Sequence, residues 1–119
     1  MADEGCTLAE LQSRVARFNR DRDWAQFHNP RNLAMAVSVE ASELLELFLW
    51  SVDDGPQPPV ASRSTQVELE MADVLICLLS LADRMDVDLK AAVHKKLEIN
   101  AAKYPVEKAK GRMEKSDEL

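Results

Sequence analysis

The sequence has few residues that break, brace or bridge a chain. Three glycines, two cysteines and 5% aromatics are spread over 119 residues. With so little glycine and abundant Ala, Leu, Glu and Lys, a turn-rich β architecture is excluded and helices are favoured. No segment alternates with strand period, and no solenoid-type repeat is present. Cys6 and Cys77 form no metal-spaced motif, so two reduced thiols are expected, Cys77 in the core. The longest apolar run, VLICLLSLA at 74–82, is too short to cross a bilayer, and no membrane partner is expected. The N-terminal MADEGCTLAE lacks the basic-then-apolar pattern of a signal peptide, so the C-terminal SDEL reads as coincidence and the expected location is cytoplasmic. Basic charge is also short. A formal net charge of −6 argues against non-specific nucleic-acid binding, and an anionic ligand would have to be met through cations.

What is present is an ordinary globular balance of 46% hydrophobic and 30% charged residues. It fits one domain over 1–119, with a folded core at about 7–105 and a charged, flexible tail at 106–119. Punctuation marks four helices. Thr7-Leu-Ala-Glu10 is a capping box that starts the first helix near Leu8, to run to about Asn19. Asn29-Pro30, an N-cap followed by proline at the first helical position, starts a second that extends to about Ser51. The run DDGPQPPVAS at 53–62 stops it. Thr65-Gln-Val-Glu68 reads as a second capping box, opening a helix to Arg84 or Met85. Asp88 caps the fourth, which ends by Tyr104, before Pro105.

The acids on these helices fall in unexpected places. At roughly 100° per residue, Glu40 and Glu43 lie inside the arc of Leu33, Ala36, Val37, Leu44 and Leu47. Glu70 and Asp73 share the arc of Val67, Val74, Cys77 and Leu81. Two helices therefore each aim an i, i+3 acid pair at the interior. Unpartnered carboxylates held in low dielectric cost several kcal/mol each, about the size of a lost ion-pair partner, and they repel one another. Bound cations or basic side chains resolve this. One such pair reads as a partly solvated seam; two with the same spacing point to a metal. Oxygen ligands suit Mg²⁺, with Mn²⁺ as a substitute. A di-iron bundle expects Glu-x-x-His pairs, which are missing here. Glu46, at the edge of its stripe, reads as a solvated charge or an outer ligand.

Two further groups accompany the acids. Lys96, Asn100 and Lys103 lie on the arc of Leu89 and Val93 and approach Tyr104; they fit either salt bridges or contacts to phosphate oxygens. The stretch RDWAQFHNPRN at 22–32 gathers Trp24, Phe27 and His28 into a polar connector. Trp24 could be a core anchor, but its polar surroundings argue against full burial. Phe27 fits a plug between the first two helices at least as well as a ligand contact.

In this order the pattern resembles the MazG-like superfamily of all-α nucleoside triphosphate pyrophosphatases, over about Leu8 to Pro105. Glu40-Ala-Ser-Glu43 and Glu70-Met-Ala-Asp73 match the metal-binding signature. RDWAQFHNPRN, LELFLW and KKLEINAAKYP are similar to the dCTP pyrophosphatase branch. Val39, where many relatives have a second glutamate, the Ala41-Ser42 spacer and Lys103 in place of arginine depart from it.

The resemblance implies a four-helix MazG-like bundle assembling as a homodimer or dimer of dimers. It implies hydrolysis of a deoxynucleoside triphosphate, dCTP or a modified deoxynucleotide, to the monophosphate and pyrophosphate in nucleotide-pool house-cleaning. Water would attack the α-phosphorus. Glu40, Glu43, Glu70 and Asp73 would hold Mg²⁺. Lys96, Asn100, Lys103 and Tyr104 would contact phosphates or sugar, with Arg31 as a further phosphate contact. Trp24, His28, Asn32 and Trp50 would form the base pocket, and 53–62 a flap. The alternatives are the same chemistry on dUTP or dATP, or a non-catalytic metal-binding helical oligomer.

Overall fold

A computed structural model describes residues 6–50 and 64–119. Among them all regular structure is helical: α1 (Leu8–Asp21), α2 (Pro30–Glu46), α3 (Ser64–Arg84), α4 (Leu89–Lys103) and the short α5 (Val106–Ala109), followed by a 3₁₀ turn at Ser116–Glu118. The chain forms two compact units, one up to Val87 and one from Asp88 onward.

The helix starts follow from local side-chain chemistry. The Thr7 hydroxyl oxygen accepts the Glu10 N–H at 3.1 Å, while that hydroxyl donates to the Glu10 carboxylate at 3.2 Å. Asn29 Oδ1 accepts the Asn32 N–H at 2.8 Å, with Pro30 in the first turn. Asp88 Oδ1 accepts the Ala91 N–H at 3.1 Å and starts α4. Each bond satisfies one N–H that the helix leaves without an internal partner.

Two boundaries differ from the sequence expectation. Thr65 lies inside α3 and does not cap it, because the helix already begins at Ser64. α2 ends at Glu46, not near Ser51. From there Leu47, Phe48 and Leu49 donate to the carbonyls of Leu44, Leu45 and Glu46, at 3.2, 2.9 and 3.2 Å. These i→i−3 bonds are a tightened end. The last turn of α2 has no basic residue. It carries Glu43 and Glu46, whose negative charge opposes the negative end of the helix dipole.

In the first unit, α1 and α2 both pack on α3. Leu79 of α3 is 2% exposed, and Ala16, Leu33, Ser80 and Ala82 are also buried. Leu79 and Leu33 are the large members of this set and the rest are small, so the buried core is thin. Beside it, Leu11, Val15, Phe18, Leu75, Ile76 and Leu79 line much of a groove of about 450 Å³ between α1 and α3. No described helix is long and apolar enough to cross a membrane.

Leu79→Ala removes the best-packed side chain and should lower unfolding stability by about 2–5 kcal/mol. Asn29→Ala removes only a cap and should cost about 1 kcal/mol. Denaturant unfolding of both variants checks the ranking, and an equal loss would mean the core is not centred on Leu79.

Candidate functional site

The facing of α2 and α3 turns two helical spacings into one cluster. Carboxylate oxygens of Glu40, Glu43 and Glu70 lie within 4.8 Å of one another. Glu40 and Glu70 are half-buried, and Glu43 is exposed. One oxygen of each half-buried acid, Oε2 in both, is shielded from solvent without a hydrogen-bond partner. Such atoms are uncommon in folded proteins and call for a ligand or a proton.

The electrostatics agree. Burial pushes the Glu40 carboxyl up, and a hydrogen bond with Glu43 and the charges of Glu43, Asp73 and Glu70 push it further. Burial likewise raises Glu70, followed by the charges of Glu43 and Asp73, a hydrogen bond with Glu43 and the charge of Glu46. The ligand-free cluster therefore keeps protons that isolated carboxylates would release. Asp73 adds its charge to both glutamates and is exposed, but it is not among the three acids whose oxygens converge. All the converging donors are hard oxygens, so the cluster fits a hard divalent cation.

Cys77 corrects one expectation. It is half-buried rather than a core residue, and both Cys6 and Cys77 are free thiols. Burial raises the Cys77 thiol, as do the negative charges of Glu40 and Asp73. On α3, Cys77 lies one turn after Asp73, so the arc that carries the acids carries the thiol as well.

The ring-bearing connector lies between α1 and α2. Trp24 meets Phe18 edge-on at 5.8 Å between centroids and lies 6.0 Å from the His28 ring. The Arg22 guanidinium carbon lies 3.6 Å from the centroid of the Phe18 ring, over its face. Trp24 is 40% exposed, which leaves ring surface open for contact. Phe27 is 60% exposed and does not plug the space between the helices. Its backbone is engaged instead: its carbonyl accepts from Asn32 Nδ2 at 3.1 Å. That side-chain nitrogen is thus used inside the connector. Arg31 is exposed in the first turn of α2. Trp50, 90% exposed, follows the end of α2 with a left-handed φ of 63°, an unusual conformation for a bulky residue. The segment 53–62, expected as a flap, lies outside the described residues.

In the second unit, Lys96, Asn100 and Lys103 share one face of α4 at i, i+4 and i+7. The lysines are exposed and Asn100 is half-buried. Tyr104 caps the helix, its N–H donating to the Asn100 carbonyl at 2.8 Å.

Sequence reasoning missed three residues that fix the connector. Asn19 Nδ2 donates to Ser80 Oγ at 3.0 Å, and Ser80 in turn donates to the Ile76 carbonyl at 2.9 Å. Arg84 Nε donates to the His28 carbonyl at 3.0 Å. One signal was available: Ser80 is the lone hydroxyl in the run VLICLLSLA, a polar residue in need of a buried partner.

Comparison with known proteins is consistent with this arrangement. A model of the MazG-like family matches residues 35–119. Human dCTP pyrophosphatase 1 is 44% identical over 115 residues, covering 95% of this chain and 68% of the human protein. The bovine dCTP pyrophosphatase 1 is 43% identical over 107 residues, covering 88% of this chain and 63% of its own length. The chain thus spans about two thirds of the length of these curated relatives. A crystal structure of a pyrophosphatase from Archaeoglobus fulgidus superposes with a TM-score of 0.75 at 39% identity, over 82% of this chain and 92% of that one. With the family model covering most of the chain and the described fold entirely helical, this chain belongs to the MazG-like family.

Proposed function

We propose that the chain is a nucleoside triphosphate pyrophosphohydrolase that converts dCTP, or a modified deoxynucleotide of the same kind, and water to the monophosphate and pyrophosphate. The observation that carries this reading is the convergence of Glu40, Glu43 and Glu70 around two buried, unpartnered carboxylate oxygens. The similarity to human dCTP pyrophosphatase 1 supplies the substrate class. In the reaction, a water oxygen bonds to the α-phosphorus and the water gives up a proton to solvent. The bond from that phosphorus to the α–β bridging oxygen breaks, and pyrophosphate leaves with the electron pair.

Glu40, Glu43, Glu70 and Asp73 are the proposed holders of Mg²⁺, with Mn²⁺ able to replace it. When bound, the cation lowers the pKa of a water ligand and offsets charge on the leaving pyrophosphate. The protein's part is to fix these acids in place against their mutual repulsion, and the cation, when bound, favours their ionised forms. Lys96, Asn100, Lys103, Tyr104 and Arg31 are proposed to neutralise and orient the phosphates or sugar. Trp24 and Trp50 offer stacking faces to the base, and His28 and Asn32 polar edges.

A four-helix bundle that forms a homodimer or dimer of dimers belongs to the same proposal. Its support is the exposed apolar surface, including Leu69, Met71, Leu75, Ile76 and Leu78 on α3, together with the groove between α1 and α3.

Incubation with Mg²⁺ and each common nucleotide, followed by product separation, tests the reaction. Monophosphate plus pyrophosphate from dCTP is expected. Orthophosphate, or no turnover of any nucleotide, would leave the acid cluster as a binding or structural feature. Glu43→Gln should reduce turnover beyond the roughly 10–100-fold typical of groups that only support a metal ligand. A loss under about tenfold would remove Glu43 from the metal-holding set.

The raised carboxyls also set a pH dependence. In metal-free protein the unfolded chain releases the Glu40 and Glu70 protons from about 4.5, their ordinary value, before the folded chain does. Their contribution to stability is therefore full below that value and is lost as pH rises through the raised folded-state values. Cation binding needs the ionised acids, so stabilisation by Mg²⁺ should grow over the same interval. Thermal unfolding of wild type against a Glu40→Gln/Glu70→Gln variant isolates the effect. The wild type should lose stability relative to the variant as pH rises without metal, and an unchanged difference would contradict the assignment.

A further inference from the structure

The connector that carries Trp24, Phe27 and His28 is held only in part by burial. Trp24 is 40% exposed and meets Phe18 edge-on, and Phe27 is 60% exposed. Polar anchors take over, and α3 provides them at two positions one turn apart. At the start of the connector, the Trp24 N–H donates to the Asn19 carbonyl at 3.1 Å. Asn19 itself is pinned by its side chain to Ser80 Oγ at 3.0 Å. Ser80 is 5% exposed, so this is a shielded bond. At the far end, Arg84 Nε donates to the His28 carbonyl at 3.0 Å. Ser80 and Arg84 are i and i+4 and share one face of α3.

The same helix carries Glu70 and Asp73. Asp73 and Arg84 are eleven positions apart, roughly 16 Å of helix at about 1.5 Å per residue. α3 therefore sets the separation between the acid cluster and the peptide that carries the His28 ring. The first anchor is neutral and shielded. The second is a charge-assisted bond from a planar guanidinium, whose direction is fixed by its geometry.

We infer that Arg84 is a positioning residue for nucleobase recognition, acting through the His28 carbonyl to fix the Trp24–His28 rings relative to the acids of α3. This rests on the nucleotide reading of the site. Arg84 donates to a backbone carbonyl of the connector and lies eleven positions along α3 from Asp73, so its loss loosens the base subsite and leaves the chemical step largely intact.

The test is steady-state kinetics of wild type, Arg84→Ala and Arg84→Lys on dCTP and dTTP at saturating Mg²⁺, with thermal unfolding of each protein alongside. Loss of one charge-assisted hydrogen bond should raise the KM for dCTP about tenfold. kcat should change less than about threefold, and the preference between dCTP and dTTP should shrink. Arg84→Lys keeps the charge without the planar donor and should fall between the other two. A purely structural role would lower thermal stability and the amount of active enzyme and leave KM and base preference as they are; that result overturns the inference. A loss of kcat alone, equal for both nucleotides, overturns it too. If Arg84→Ala does not fold, the same criteria are applied to Arg84→Lys. No turnover of any nucleotide by the wild type defeats the pyrophosphohydrolase reading itself, whereas turnover with unchanged selectivity in the variants defeats only the role of Arg84.

Discussion

Mutual repulsion among carboxylates is the constraint around which the first unit is organised. Three of them bring oxygens within 4.8 Å of each other, and a fourth, Asp73, adds its charge to two of these. In water such a group would spread apart. Here α2 and α3 hold it together because the apolar residues on the same helix arcs pack, and the acids are carried along. Burial and this repulsion together raise Glu40 and Glu70, so without a cation the cluster holds its protons more tightly than isolated carboxylates do. Two buried oxygens without donors mark where a cation would relieve it.

α3 links the other features to this constraint. Its first half carries Glu70 and Asp73, its second half the buried Leu79 and Ala82 and the anchors Ser80 and Arg84. α1 and α2 both pack on it, so the acids of α2 and the rings between α1 and α2 are referenced to one rigid element. A helix is suited to this because its spacing per residue is fixed, whereas a loop would let the two halves of the site drift. The chain gains a defined site in this way while burying little: the shielded residues around Leu79 are mostly small, and much apolar surface of α3 remains open. That balance fits a family whose members this chain resembles along nearly its whole length.

Local chemistry was readable directly. Thr7, Asn29 and Asp88 each cap the helix that their side chains announced, because a cap involves only residues three positions apart. The acid pairs were legible for the same reason, since i, i+3 spacing decides which side chains share a face. The end of α2 was not. Apolar periodicity continues through Leu47 and Phe48, while the helix stops at Glu46 where two glutamates oppose its dipole. Thr65 misled in the opposite sense, as a capping pattern inside a helix that had already begun.

By itself, then, the sequence determined an all-helical chain, the faces on which Glu40, Glu43, Glu70 and Asp73 lie, and the family that these motifs resemble. All of these depend on spacings within one helix or on short motifs. Only the tertiary structure decided which acid oxygens converge, that Cys77 is half-buried beside them and that Phe27 is exposed. It alone joined Asn19 to Ser80 and His28 to Arg84, across 61 and 56 positions of chain. Those outcomes depend on how one helix is set against another, and no periodicity along a single helix contains that rotation and offset.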